Sequence, residues 1–195
     1  MRNVIIALVP AAIASVLIFG WHAFFLIAAC VASSVLFEYL FRKITKKSNT
    51  IGDLSAIVTG LLLAMNLPPQ LPIWMGVIGS FVAIVVAKQL FGGIGQNFAN
   101  PAIVGRIVLL ISFATPMTSW MLPSLQDGKI SLVAGATPLA SGAEIPTMLE
   151  MFLGLRGGCL GETCILALLI GGVFLIVTKT ISATTPIAFL GTMAV

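Results

Sequence analysis

MRNVIIALVPAAIASVLIFG, residues 1–20, runs straight into WHAFFLIAACVASSVLFEYLF, residues 21–41. Each run approaches the roughly 20 apolar residues that a helix rising about 1.5 Å per residue needs to cross about 30 Å of hydrocarbon. Only Gly20 separates them, so the pair reads as a tight helical hairpin in a membrane. A lone arginine before one apolar run is also how a secretory signal begins, but the second run follows at once and the hairpin accounts for both. Pro10 predicts a kink in the first helix, tolerated in a membrane when neighbouring helices satisfy the freed carbonyl.

The rest of the chain carries the same signal. Of 195 residues 59% are hydrophobic and only 8% are charged, a mix that excludes an ordinary soluble domain. No run alternates with the period of two that marks an outer-membrane barrel. The expected architecture is all-α, a polytopic transmembrane bundle of about six to seven helices, some of them short or broken. They are expected at residues 4–19, 21–41, 54–67, 73–90, 101–114 and 164–178, with a seventh beginning near Pro186. Residues 1–195 form a single transmembrane domain, and a chain that stops inside an apolar run at Val195 reads as a partial one.

The net charge of +4 does not point to nucleic acid, because the basic residues fall at helix ends and set orientation. With the N-terminus cytoplasmic, Arg2, Arg42, Lys43, Lys46, Lys47, Lys88, Arg106 and Lys179 are assigned to inner ends, and only Lys129 and Arg156 to the outer side. Trp21, Trp74 and Trp120 then sit at outer ends, where amphipathic rings favour the interface. Glu38, one turn before Arg42, is expected to pair with it. The protein is thus expected to span the plasma (inner) membrane several times among its lipids, with residues 115–160 as one long outer loop. Loops of that length in a compact domain are usually functional.

Two irregular stretches lie among the helices. NLPPQLP, residues 66–72, stops a helix and leaves carbonyls in need of partners, as in segments that line cavities. FGGIGQNFANPAIVGR, residues 91–106, combines glycines with the amides of Gln96, Asn97 and Asn100, as either a helix-connecting turn or a ligand-lining loop. No catalytic constellation is visible. His22 reads as an interfacial residue, Glu162 as a carboxylate at the positive end of a helix, and Cys30, Cys159 and Cys164 make no metal pattern.

Taken in order, MRNVIIALVPA, SAIVTGLLLAMNLPP, AKQLFGGIGQNFANPAIVGR, GATPL and GETCILALLIGG resemble the D subunit of the Rnf electron-transport complex. That subunit is itself similar to the B subunit of the sodium-pumping NADH:quinone oxidoreductase. Against that family the chain lacks both ends. The resemblance implies a subunit of an ion-translocating oxidoreductase that carries FMN, relays electrons between ferredoxin and NAD chemistry housed on other subunits, and helps couple them to Na⁺ or H⁺ movement. It has no complete active site of its own.

Family members carry FMN through a phosphoester to the threonine of a Gly-Ala-Thr loop, and the matching residue is Thr137. Gly135 and Ala136 keep that loop slim enough for a flavin transferase, and Pro138 stiffens the turn after it. The acceptor pattern departs from the usual one at Ser131, where an acidic residue is common, and at Ala134, where Ser or Thr is. A bound riboflavin is implied as well, with no residue assigned to it. Two other readings share the architecture: a small-solute channel, with the broken third helix facing the Gly/Asn loop, and a scaffold subunit without cofactor.

The orientation is testable by labelling. In a background lacking the three native cysteines, Lys129→Cys is expected to react with a membrane-impermeant thiol reagent in intact cells, and Lys46→Cys only after the membrane is opened. The reverse pattern overturns the orientation.

Overall fold

A computed structural model describes residues 1–46, 51–126, 129–135, 147–154 and 157–194. The expected all-α bundle is what forms. Its elements are α1 (Arg2–Phe19), α2 (Trp21–Ile44), α3 (Ser55–Met65), α4 (Ile73–Phe81), α5 (Pro101–Ser112), α6 (Ala114–Thr118), α7 (Met148–Leu153), α8 (Ile165–Val177) and α9 (Thr184–Ala194). Between α6 and α7 an antiparallel hairpin, β1 (Trp120–Gln126) and β2 (Lys129–Gly135), pairs Trp120 with Gly135 and Gln126 with Lys129. The sequence reading places no strand there.

Of the described helices, α1 and α2 are long and apolar enough to cross a membrane unaided. α1 continues through Pro10 without interruption. α5 begins where Pro101 takes the first helical position and Asn100 accepts the Ala102 N–H at 3.0 Å, the expected chemistry of a helix start. α4 passes directly into a π-helical segment, Val82–Gln89, whose wide turns appear in the Leu90 N–H bond to the Val85 carbonyl and the Gly93 N–H bond to the Lys88 carbonyl.

The bundle has two distinguishable ends. At one, Trp74 stacks edge-on against Phe113 at 5.3 Å, and Phe19, Leu71, Met75 and Met117 close the core. At the other, Asn3 donates to the Thr180 hydroxyl at 3.0 Å, and the loop of residues 91–100 lies beside the start of α3. The core between them is built on Leu26, Cys30, Leu63, Leu67, Leu109 and Leu160, packed among α2, α3, α4 and α5. α8 lies against α1.

α3 and α8 are half-crossings. Eleven and thirteen residues make about 16 and 20 Å of helix, against about 30 Å of hydrocarbon. α3 starts at the Asn3 end and stops inside the bundle. α8 starts where α3 stops and returns to the Asn3 end. Non-helical backbone, mostly turns and bends, covers the remaining distance in each case: residues 66–72, with Leu67, Pro68, Pro69 and Leu71 buried, and residues 157–164.

Two cations assigned to helix ends are engaged within the bundle: Lys88, in the last turn of its segment, and the half-buried Arg106. Lys88 is buried and its ammonium donates to Glu38 Oε2 at 2.7 Å and to the Ser55 hydroxyl at 2.6 Å. The ion pair of Glu38 with Lys88 therefore joins α2 to the π-helical segment across 50 residues, a partner additional to the Arg42 that the sequence suggested. Burying a charge is tolerated only with such a partner. Arg106 likewise stands in the sixth position of α5, away from its end.

Gly93 is buried at φ +106°, and a β-carbon on it would lie 3.0 Å from Arg42 Nη2, so Gly93→Val is expected to lower the yield of assembled protein in the membrane. Lys88→Met takes away the cationic partner of a buried carboxylate, a change worth about 3–5 kcal/mol. It is expected to lower the melting temperature in detergent, with much of the loss recovered in Lys88→Met/Glu38→Met.

Candidate functional site

The half-crossings meet through their backbones. Prolines at 68 and 69 deny α3 a continuation, so its last carbonyls need other donors. Leu62 O accepts Asn66 Nδ2 at 2.8 Å, Leu63 O and Ala64 O accept the Asn66 and Leu67 N–H groups, Met65 O accepts the Gly161 N–H at 2.8 Å, and Leu67 O accepts the Leu160 N–H at 3.1 Å. The second loop is thus the cap of the first helix. Gly161 is required there, because a β-carbon on it would fall 2.7 Å from Met65 Cβ. Ser15 of α1 donates its hydroxyl to the Leu160 carbonyl, and also to Ala11 O at 2.8 Å.

Polar side chains gather at this junction. Arg106 Nη1 donates to Asn66 Oδ1 at 3.0 Å, and the same guanidinium interacts with the Cys159 thiol. Glu162 Oε1 accepts the Cys159 N–H at 2.7 Å. The carboxylate expected to favour the first turn of α8 therefore closes the turn before it, and α8 itself begins after Cys164. A cavity of about 220 Å³ opens beside these groups, walled by Asn66, Cys159, Gly161 and Glu162 and by apolar residues of α1, α3 and α8.

A second cleft, of about 360 Å³, lies at the Asn3 end among Ser55, Thr59, Lys88, Asn97 and Asn100. Asn97 Oδ1 is buried there without a hydrogen-bond partner. The Gly/Asn loop thus both connects the π-helical segment to α5 and borders this cleft. It faces the start of α3, however, and residues 157–163 occupy the broken end of that helix. His22, at the tryptophan-bearing end, donates from Nδ1 to the Pro69 carbonyl at 2.9 Å and so pins the non-helical stretch.

Of the residues expected to hold a flavin, Gly135 is the last residue of β2, opposite Trp120. Ala136, Thr137 and Pro138 lie outside the described residues. Competing hydroxyls differ in their settings. Ser131 stands opposite Ser124 in the hairpin, and Thr147 caps α7, with its hydroxyl 2.8 Å from Glu150 Oε2.

Sequence comparison gives this architecture a context. The chain is 48% identical, over its whole length, to the D subunit of the Na⁺-translocating ferredoxin:NAD⁺ oxidoreductase complex of Acetobacterium woodii. It is 40% identical over its whole length to the D subunit of the proton-translocating ferredoxin:NAD⁺ oxidoreductase complex of Clostridium ljungdahlii. Over 99% of its length it is 39% identical to the D subunit of the ion-translocating oxidoreductase complex of Rhodobacter capsulatus. It spans 62%, 62% and 63% of the length of these three relatives. The profile of the NQR2, RnfD, RnfE family matches residues 1–195, and the chain belongs to that family of membrane proteins.

Proposed function

We propose that this protein is a membrane subunit of a redox-driven ion-translocating complex, with FMN attached to Thr137 and electrons relayed through it. The observation that carries the reading is a Gly-Ala-Thr-Pro segment that begins at the last residue of β2 in a chain matched end to end by a family of such subunits. The local fit supports it. β2 brings Gly135 opposite Trp120, so the chain enters this segment beside a tryptophan, a residue that favours the membrane–water interface.

Thr137 supplies an uncharged hydroxyl whose oxygen would bond to the FMN-side phosphorus of FAD; the pyrophosphate P–O bond breaks, AMP leaves with the bridging oxygen, and the hydroxyl proton is released. Gly135 and Ala136 keep bulk away from that oxygen, and Pro138 restricts the backbone beyond it. When bound, the flavin supplies one- and two-electron redox chemistry that no side chain here provides. The chain's own part is to hold it at one face of the membrane, beside partner subunits that contain the nicotinamide and iron–sulfur chemistry. The coupled ion is Na⁺ or H⁺, the N-terminus is cytoplasmic and the hairpin is outside. A riboflavin bound without a covalent link belongs to the same reading.

The half-crossings themselves favour a second reading, a small-solute channel, because paired broken helices commonly build solute sites in membranes. Bound flavin separates the two. Protein coexpressed with a flavin transferase is expected to give a fluorescent band that survives denaturing electrophoresis. Thr137→Ala is expected to abolish the band without reducing the amount of protein in the membrane, since a loop threonine contributes little to packing. Ser131→Ala should leave it, and Thr147 is already engaged as a helix cap. Fluorescence persisting in Thr137→Ala, or absent from wild type, sinks the relay and moves the channel and scaffold readings ahead.

A further inference from the structure

We propose that Arg106 is a fixed positive charge that closes the junction of the two half-crossings to cations, so that ions moved by the complex do not pass through this point. Half-helices that end inside a membrane bind cations through the carbonyls of an unwound C-terminal end, often aided by a carboxylate or amide oxygen. α3 ends in that way beside a cavity walled by Asn66 and Glu162.

Here the acceptors are engaged by donors from the protein. The Leu62, Leu63, Ala64, Met65 and Leu67 carbonyls accept N–H groups from Asn66, Leu67, Gly161 and Leu160. Glu162 Oε1 accepts the Cys159 N–H, and Asn66 Oδ1 accepts Arg106 Nη1 at 3.0 Å. Arg106 is half-buried, and a charge partly withdrawn from water repels a like charge more strongly than a fully solvated one; an arginine at a constriction excludes cations on that ground.

The bond of Arg106 to Asn66 holds the end of α3, and a neutral donor would do that as well, so the charge is what calls for an account. An ionisable side chain inside a bundle is costly to keep there, and one that only oriented the chain would stand at the end of α5. Arg106 stands halfway along it, bonded to the residue that terminates α3.

The test reads passive ion flux, without reductant, in liposomes containing the protein together with the subunits that copurify with it. Its result therefore stands whether or not Thr137 carries flavin. Entry of radioactive Na⁺ and the decay of an imposed pH gradient are measured for wild type, Arg106→Lys, Arg106→Gln and Asn66→Asp. Wild type and Arg106→Lys are expected to be tight. Arg106→Gln removes the charge, and Asn66→Asp neutralises it while keeping an oxygen in place. Both are expected to raise the leak on the order of tenfold or more. A tight, assembled Arg106→Gln overturns the proposal, as does a tight Asn66→Asp where Arg106→Gln fails to assemble. An equal leak in Arg106→Lys and Arg106→Gln also overturns it, since packing would then matter and charge would not.

Discussion

Each half-crossing is completed by the other. The two N–H bonds from Gly161 and Leu160 to the Met65 and Leu67 carbonyls join loops far apart in the chain, and neither loop has water to turn to inside a membrane. Without Leu160 and Gly161 the end of α3 would be left with orphaned carbonyls, each costing several kcal/mol in hydrocarbon. Without residues 65–67 the second loop would have no wall. The placement of α8 against α1, the anchoring of Leu160 by Ser15 and the position of Arg106 all follow from that joint.

Lys88 and Arg106 serve the same end at different depths. Lys88 ties α2 to the π-helical segment and to Ser55, the first residue of α3. Arg106 ties α5 to Asn66, just past the last residue of α3. A helix too short to be held by lipid on both sides is thus secured at each end by a charged side chain from another element. Dispersion among Leu63, Leu67, Leu109 and Leu160 fills the space between.

Much of this is legible in the sequence. α1 and α2 can be read to within three residues at either end, because a long apolar run broken by glycine has few other solutions, although α2 continues through Arg42, Lys43 and Ile44. The broken end of α3 is legible from paired prolines. Residues 157–163 are not recognisable as its partner, because GGCLGET looks like any polar turn until the segment it caps is known. Lys88 and Arg106 read as topology anchors because a sequence shows charge without depth, and their partners, Glu38 and Asn66, are 50 and 40 residues away. β1 and β2 escape notice for a related reason: seven-residue strands within a loop carry too weak an alternation to stand out from it. The flavin loop is legible only through family likeness, since Gly-Ala-Thr alone is too short to mean anything.

The π-helical segment between α4 and the Gly/Asn loop bears on how this chain can vary in length. Wide turns of that kind accommodate an extra residue relative to an ordinary helix. Deleting one residue between Val82 and Ala87 would let an α-helical ladder re-form. The same deletion in the α-helical turns of α4 would instead rotate everything beyond by about 100°, swinging Lys88 away from Glu38 and Ser55 and displacing Gly93 from its place beside Arg42. Among functional versions of this chain, a change of one residue in length should therefore be better tolerated within residues 82–87 than in the α-helical turns before them.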